Sequence, residues 1–158
     1  MIDIISAIGD AELAAVARLF REYAGSLPMD LEYQGFTSEV QNLPGAYRAP
    51  SGALLIARVD GADAGCVAVR PLEPPICEMK RLYVRPAHRR LGIGPLLVER
   101  AIGAATALGY CDMWLDTLAS MTAARRLYVK AGFREIPAYG GAAAPGTMYY
   151  GLRLAPAR

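Results

Sequence analysis

The stretch that most constrains this chain is residues 76–108, ICEMKRLYVRPAHRRLGIGPLLVERAIGAATAL. A strand-like run closes at Pro86, and a helical pattern opens at Gly94. Only a basic turn with two glycines lies between them. A strand passing so abruptly into a helix implies a layered arrangement in which helices pack on a sheet. The turn also has a chemistry of its own. A helix start leaves backbone N–H groups unpaired and carries partial positive charge, which suits a phosphate. Gly92 and Gly94 let the main chain come close to an anion, and Arg89 and Arg90 offer charge-assisted hydrogen bonds. Pro95 fits the first helical position by its fixed φ but removes one donor. The bland alternative is a helix N-terminus with a flexible lead-in and a solvated basic edge. A Walker A loop is excluded because GK[ST] is missing, and a Rossmann fingerprint because Leu97 stands where its third glycine belongs.

The rest of the chain supplies a mixed set of elements. Residues 2–8 read as a strand. Asp10 is a plausible N-cap for a helix with the stripe Leu13, Val16, Ala17 and Phe20, broken at Gly25–Pro28. LEYQGFTSEVQNLPG has room for a shorter helix. GALLIARV and GCVAVRPL flank an Asp-Gly turn as a hairpin. CDMWLDTL is a strand, residues 122–130 a helix stopped by Gly132, and GTMYYGLRL a final strand, with residues 138–146 as a loop. Hairpin strands combined with strand–helix–strand units predict an α/β or α+β sandwich with a mixed sheet. At 158 residues the chain is expected to be a single domain, 1–158, long enough to bury roughly 70% of its unfolded surface.

Composition narrows the function classes. A net charge of +2 gives no support to nucleic-acid binding through bulk charge. Cys66, Cys77 and Cys111 show no CxxC spacing and read as buried, reduced thiols, so disulfides and metal are not expected and a cytoplasmic location is. MIDIISAIGD has no basic n-region, and no run of 18 apolar residues points to a membrane.

LYVRPAHRRLGIGPLLVERA resembles motif A of the GNAT acetyltransferases, [Q/R]-x-x-G-x-[G/A] between a strand and a helix, with Arg89, Gly92 and Gly94 on its fixed positions. AARRLYVKAGFRE resembles the family's second landmark, A-x-x-L-Y-x-x-x-G-F, through Ala124, Leu127, Tyr128, Gly132 and Phe133. The two motifs stand about 35 residues apart with a strand between, in the family's order. The resemblance covers residues 52–136 well, the last strand loosely, and the first 50 residues only by helix count. It implies the GNAT fold, a mostly antiparallel mixed sheet with a V-shaped splay between two central parallel strands, flanked by helices.

The resemblance further implies acetyl-CoA as cosubstrate, its pyrophosphate on the main chain of Arg90, Leu91, Gly92, Ile93, Gly94 and Pro95 with Arg89 beside it. The pantetheine arm would pair with Leu82, Tyr83 and Val84 where the strand ending at Val84 splays from strand 111–117. Met121 departs from the pattern, because many members carry Asn there. The expected activity is N-acetyl transfer to a primary amine, most simply of a small molecule. A protein lysine or N-terminus as acceptor, and a non-catalytic acyl-CoA-binding module, are the alternatives. A homodimer through the apolar last strand is left open.

Transfer needs a free amine, a stabilised oxyanion and a proton for the leaving thiolate. Tyr128 matches the tyrosine that serves as general acid in many relatives, its other reading being helix packing. A main-chain N–H near Leu82 would face the oxyanion. Glu78 lies at the offset before Val84 where one branch of the family carries its catalytic glutamate. It is the expected base, or else a strand-edge charge paired with Lys80 or Arg58. Asp116 is a second carboxylate able to take the amine's proton, or a cap. His88 belongs near the phosphates rather than the thioester. Glu22, Asp30, Glu32 and Glu39 would suit a cationic acceptor or simply form an acidic surface. Tyr23, Tyr33, Tyr139, Tyr149 and Tyr150 are pocket walls or core.

Overall fold

The structure, a computed structural model, describes residues 1–155, so the last three residues of the expected 1–158 unit lie outside it. Its strands are β1 (Ile2–Ser6), β2 (Ala53–Val59), β3 (Ala62–Glu73), β4 (Ile76–Val84), β5 (Asp112–Leu118), β6 (Arg134–Glu135) and β7 (Thr147–Arg153). Its α-helices are α1 (Asp10–Gly25), α2 (Phe36–Gln41), α3 (Ile93–Ala107) and α4 (Thr122–Lys130). One seven-stranded sheet has the order β1-β2-β3-β4-β5-β7-β6. Neighbours run antiparallel except β4 and β5.

Helices cover both faces. On one, α1 buries Ala15, Val16, Leu19 and Phe20. They pack with Ile56, Cys66, Ala68 and Tyr83 from the sheet. The stripe is shifted from the expected one, with Leu13 and Ala17 on its margin. Leu19 and Phe20 are fully buried, each contributing about 1.5–3 kcal/mol of transfer free energy. On the other face, α3 buries Ile93, Leu97, Val98, Ala101 and Ala105 against Val67, Val69, Cys77 and Met79. The small Ala101 and Ala105 let this helix lie close on the strands.

Several local expectations are corrected. Gly9 rather than Asp10 is the N-cap of α1, with Asp10 inside the first turn. There a carboxylate still complements the helix dipole. The short-helix segment divides into a 3-10 turn, Leu31–Gln34, and α2, because Gly35 between them takes a left-handed φ of 73°. Cys111 is exposed, while Cys66 and Cys77 are buried, and all three thiols are free. Among the described residues no helix is long and apolar enough to cross a membrane, and no three His, Cys, Asp or Glu side chains cluster.

The feature that builds the site is an irregularity in β4. Cys66 stands opposite Tyr83 and Ala68 opposite Lys80, so two β4 residues oppose one on β3. Arg81 occupies this bulge with φ 61°, a left-handed conformation uncommon for a residue with a side chain. Glu78, Lys80 and Arg81 thereby share the α1–α2 side, whereas Leu82 and Val84 turn to the α3 side.

Candidate active site

The β4–β5 pairing ends almost as soon as it begins. Ile76, Cys77 and Glu78 pair with Asp112, Met113 and Trp114, and nothing beyond. From Met79 to Val84 on one strand, and Leu115 to Leu118 on the other, the facing edges diverge. β5 keeps its other edge on β7 as far as Leu118. Main-chain groups on diverging edges demand partners from elsewhere. The resulting cleft is lined by Met79, Lys80, Leu82, Asp116, Met121 and Tyr128, with Tyr23, Arg81 and Thr117 beside them.

At its α3 end lies the glycine-hinged turn. Gly92 caps the helix with φ 77°, and Arg90 also takes a left-handed φ, 73°. A non-glycine residue held there costs about 1–3 kcal/mol, a strain that concentrates at functional sites. Leu96 N–H donates back to Gly92 at 3.3 Å, and Pro95 has no N–H, so the Ile93 and Gly94 amides are the helix's open donors. A Cβ placed on Gly92 meets nothing within 4 Å, whereas one on Gly94 would press on Leu127 Cδ1 at 3.0 Å. Unpaired strand edges leading to an open, donor-rich helix start fit a pantetheine arm followed by a pyrophosphate.

Gly92→Val is therefore expected to weaken CoA binding at least tenfold, because a branched side chain resists the left-handed φ and projects into the anion's space. Calorimetric titration with CoA is the check, and unaltered affinity would contradict the cradle.

The other expected CoA contacts behave differently from one another. Leu91 is exposed, whereas Ile93 points into the core and offers only its main chain. Arg89 does not extend freely toward a phosphate: its Nε donates to the Val84 carbonyl at 3.1 Å, tying the turn to β4. That carbonyl, expected to meet the pantetheine arm, already has a partner. The Tyr83 side chain faces α1, and its hydroxyl lies 3.4 Å from Glu22. His88 lies in the 3-10 turn just before Arg89, with a buried and unpartnered Nδ1 among the described residues. Met121 lines the cleft, and its sulfur accepts from the Thr117 hydroxyl at 3.8 Å.

Tyr128 is buried, packed between Phe133 and Tyr150 at ring distances of 5.9 and 6.4 Å, and borders the cleft. Burial pushes its phenol pKa up, and the Tyr23 and Asp116 charges push the same way. It stays protonated, a donor at neutral pH.

Glu78 departs from the expected base. It is 2% exposed, and both oxygens are committed. Oε1 receives Arg70 Nη2 at 2.8 Å and Nε at 2.9 Å, and Oε2 receives the Tyr139 hydroxyl at 2.6 Å. Of the two expected partners, Lys80 forms a long ion pair with it at 3.9 Å, whereas Arg58 pairs with Asp63 instead. A carboxylate held this way is poorly placed to receive a proton. Asp116 is the carboxylate that borders the cleft beside Tyr128. Burial raises its pKa, against the pull of Lys80.

The acids of the first helices are also spent. Glu22 pairs with Arg85 at 2.6 Å, Glu39 takes Arg81 at 2.9 and 3.0 Å, Asp30 caps the 3-10 turn through Glu32 N–H, and Glu32 accepts from Thr37. Trp114, Tyr139 and Tyr149 form an aromatic group with ring distances of 5.0 and 5.2 Å, while Tyr150 belongs to the core. Sequence reading missed Arg70 and Gln34, and placed Lys80 only as a counter-charge to Glu78. Strand alternation from Glu78 to Lys80 was the available signal for the lysine.

Comparison with known proteins matches this geometry. The family model described as Acetyltransferase (GNAT) family matches residues 13–133. An uncharacterised N-acetyltransferase of Schizosaccharomyces pombe is 42% identical over 138 residues, 86% of this chain and 85% of the relative. A GNAT acetyltransferase of Staphylococcus aureus superposes with a TM-score of 0.79 at 19% identity, over 98% of this chain and 100% of that one. The PaiA N-acetyltransferase of Thermoplasma acidophilum, solved in complex with coenzyme A, superposes with 0.74 at 17% identity, over 97% and 99%.

Proposed function

Because the chain belongs to the GNAT acetyltransferase family, and so catalyses acetyl-CoA-dependent N-acetylation, we propose that its acceptor is the primary amine of a small molecule bound in the β4–β5 cleft. The observation that carries this reading is the early end of β4–β5 pairing beside the open start of α3. In this reading Ile93 and Gly94 amides hold the diphosphate, and the free edge of β4 holds the arm. The thioester then rests near Leu82 and Tyr128.

Asp116, in place of the expected Glu78, receives the proton of the acceptor ammonium; burial makes it a stronger base than an exposed aspartate. The freed nitrogen forms its bond to the acetyl carbon as the carbon–sulfur bond breaks, and the second proton it then sheds passes to solvent, leaving the neutral amide. A main-chain N–H at Leu82 steadies the carbonyl oxygen as it gains charge. Tyr128 gives its hydroxyl proton to the departing sulfur, and solvent restores the starting protonation of both side chains. Glu78, anchored by Arg70 and Tyr139, holds the vertex of the cleft in shape.

The test is thiol release from acetyl-CoA across a panel of small amines, peptides and proteins. Release with small amines is the expected result. Release only with peptides or proteins would replace the acceptor class. Tight CoA binding with no release from any acceptor would leave a binding module.

A further inference from the structure

The charges that face the cleft are matched in close pairs, with two exceptions. Arg70 closes on Glu78, and Arg81 closes on Glu39 with two hydrogen bonds and stands 5.3 Å from the Phe36 ring centroid. What remains is one cation on β4 and one anion on β5. Lys80 is 9% exposed. Of its three donors, one reaches the neutral Gln34 Oε1 at 3.2 Å. Its nearest carboxylate oxygen, Glu78 Oε1 at 3.9 Å, already receives two bonds from Arg70. Asp116 makes neither a hydrogen bond nor an ion pair among the described residues. Lys80 and Asp116 line the same depression, yet no ion pair joins them.

Resting on the assignment of the cleft as the acceptor site, we propose that the acceptor is a zwitterion, a free amino acid or close analogue whose carboxylate binds Lys80 while its ammonium binds Asp116. A buried lysine with only a long ion pair to Glu78, facing a half-buried aspartate with no partner, is costly as it stands. A ligand bearing both complementary charges a few bonds apart satisfies both at once. A plain amine answers Asp116 and leaves Lys80 wanting. The orientation follows from the neighbours, since the reacting nitrogen must lie by Asp116, which borders the cleft with Tyr128 and Leu82.

Electrostatics agree with this need. Burial lowers the pKa of Lys80 and raises that of Asp116, so each is drawn toward neutrality until a counter-charge arrives. The neighbouring depression mixes polar groups such as Gln34, Arg81 and Thr147 with Tyr23, Leu27, Leu31, Tyr33 and Leu118, and the latter offer apolar contact to an organic side chain. Aromatic faces near a carboxylate also favour an ammonium. The amine of a protein N-terminus or a lysine side chain has no free carboxylate beside it, so the same pair of charges selects against macromolecular acceptors.

The experiment measures kcat/KM by thiol release from acetyl-CoA with L-phenylalanine and L-leucine. Phenethylamine, isoamylamine and the two amino-acid amides are the comparison arms. The expected result is a preference of roughly 100-fold for the amino acids, the scale on which a site built around a charged partner rejects the analogue lacking it. Lys80→Met is expected to collapse that ratio to within threefold of one, with CoA binding showing that the fold is kept. Lys80→Arg, which keeps the charge, is expected to retain a preference, and with the wild-type panel it decides the matter if Lys80→Met does not fold. Equal or better use of the plain amines or amides would overturn the proposal. So would a ratio that survives Lys80→Met, or CoA binding with no release from either amino acid. A wild-type protein that fails to bind CoA would instead overturn the assignment of the cleft, and this inference with it.

Discussion

Replacing Tyr128 with phenylalanine is expected to lower turnover by about 10²–10³-fold while leaving CoA affinity within threefold of the native value. The separation of the two effects follows from what the hydroxyl touches. Among the described residues it has no hydrogen-bond partner, so its removal leaves nothing unsatisfied, and a phenyl ring preserves the contacts with Phe133 and Tyr150. In the proposed mechanism what is lost is the proton for the leaving sulfur, a need that arises only in the transition state. Both kcat and kcat/KM should therefore fall together. Because burial raises the phenol's pKa, native turnover should show no descending limb from this group below about pH 10. Steady-state kinetics with CoA titration reads all of this. Turnover within threefold of native would mean that the sulfur takes its proton elsewhere.

Arg81→Ala is expected to cost about 3 kcal/mol of folding stability, the lower end of the range for breaking a buried ion pair. Arg81 is buried, and its guanidinium is bidentate on Glu39, whose side chain keeps some access to water; that access is the reason for choosing the lower end. A chain of this length should lose roughly 6–12 °C in Tm. The deletion strands Glu39 and frees α2 from the β4 bulge, so the cleft should loosen too. Arg81→Met combined with Glu39→Leu should recover part of the loss, since two apolar groups leave no charge behind. Thermal unfolding is the measurement, and a Tm change under 2 °C for the single variant would show that the pair contributes little.

The elements around the glycine-hinged turn were legible in the sequence because their causes are local. The strand that ends at Val84, the helix that starts by Gly94 and the helix from Thr122 to Lys130 all fall within a residue of expectation. Each carries its own stop signal in Pro86, Gly109 or Gly132. The open turn at Gly92 was likewise readable, since a phosphate cradle at a helix start is built from consecutive residues. The first third was harder: the 3-10 turn and α2 are held by long-range pairs, Lys80 with Gln34 and Arg81 with Glu39, that no short window contains. The two-residue β6 has too little pattern to detect.

What the sequence determined by itself is the chain's family, the glycine-hinged turn that opens α3 and the place of Tyr128 on α4, because motif spacing and turn chemistry act over a few residues. What only the tertiary structure decided is which carboxylate is open and which is spent. Glu78 and Asp116 look alike as letters in two strands. The bulge at Arg81, the splay beyond Trp114 and the arrival of Arg70 and Tyr139 quench one of them and leave the other facing the cleft. A charge's availability depends on its partners in space, and those partners come from strands and loops far apart in the chain.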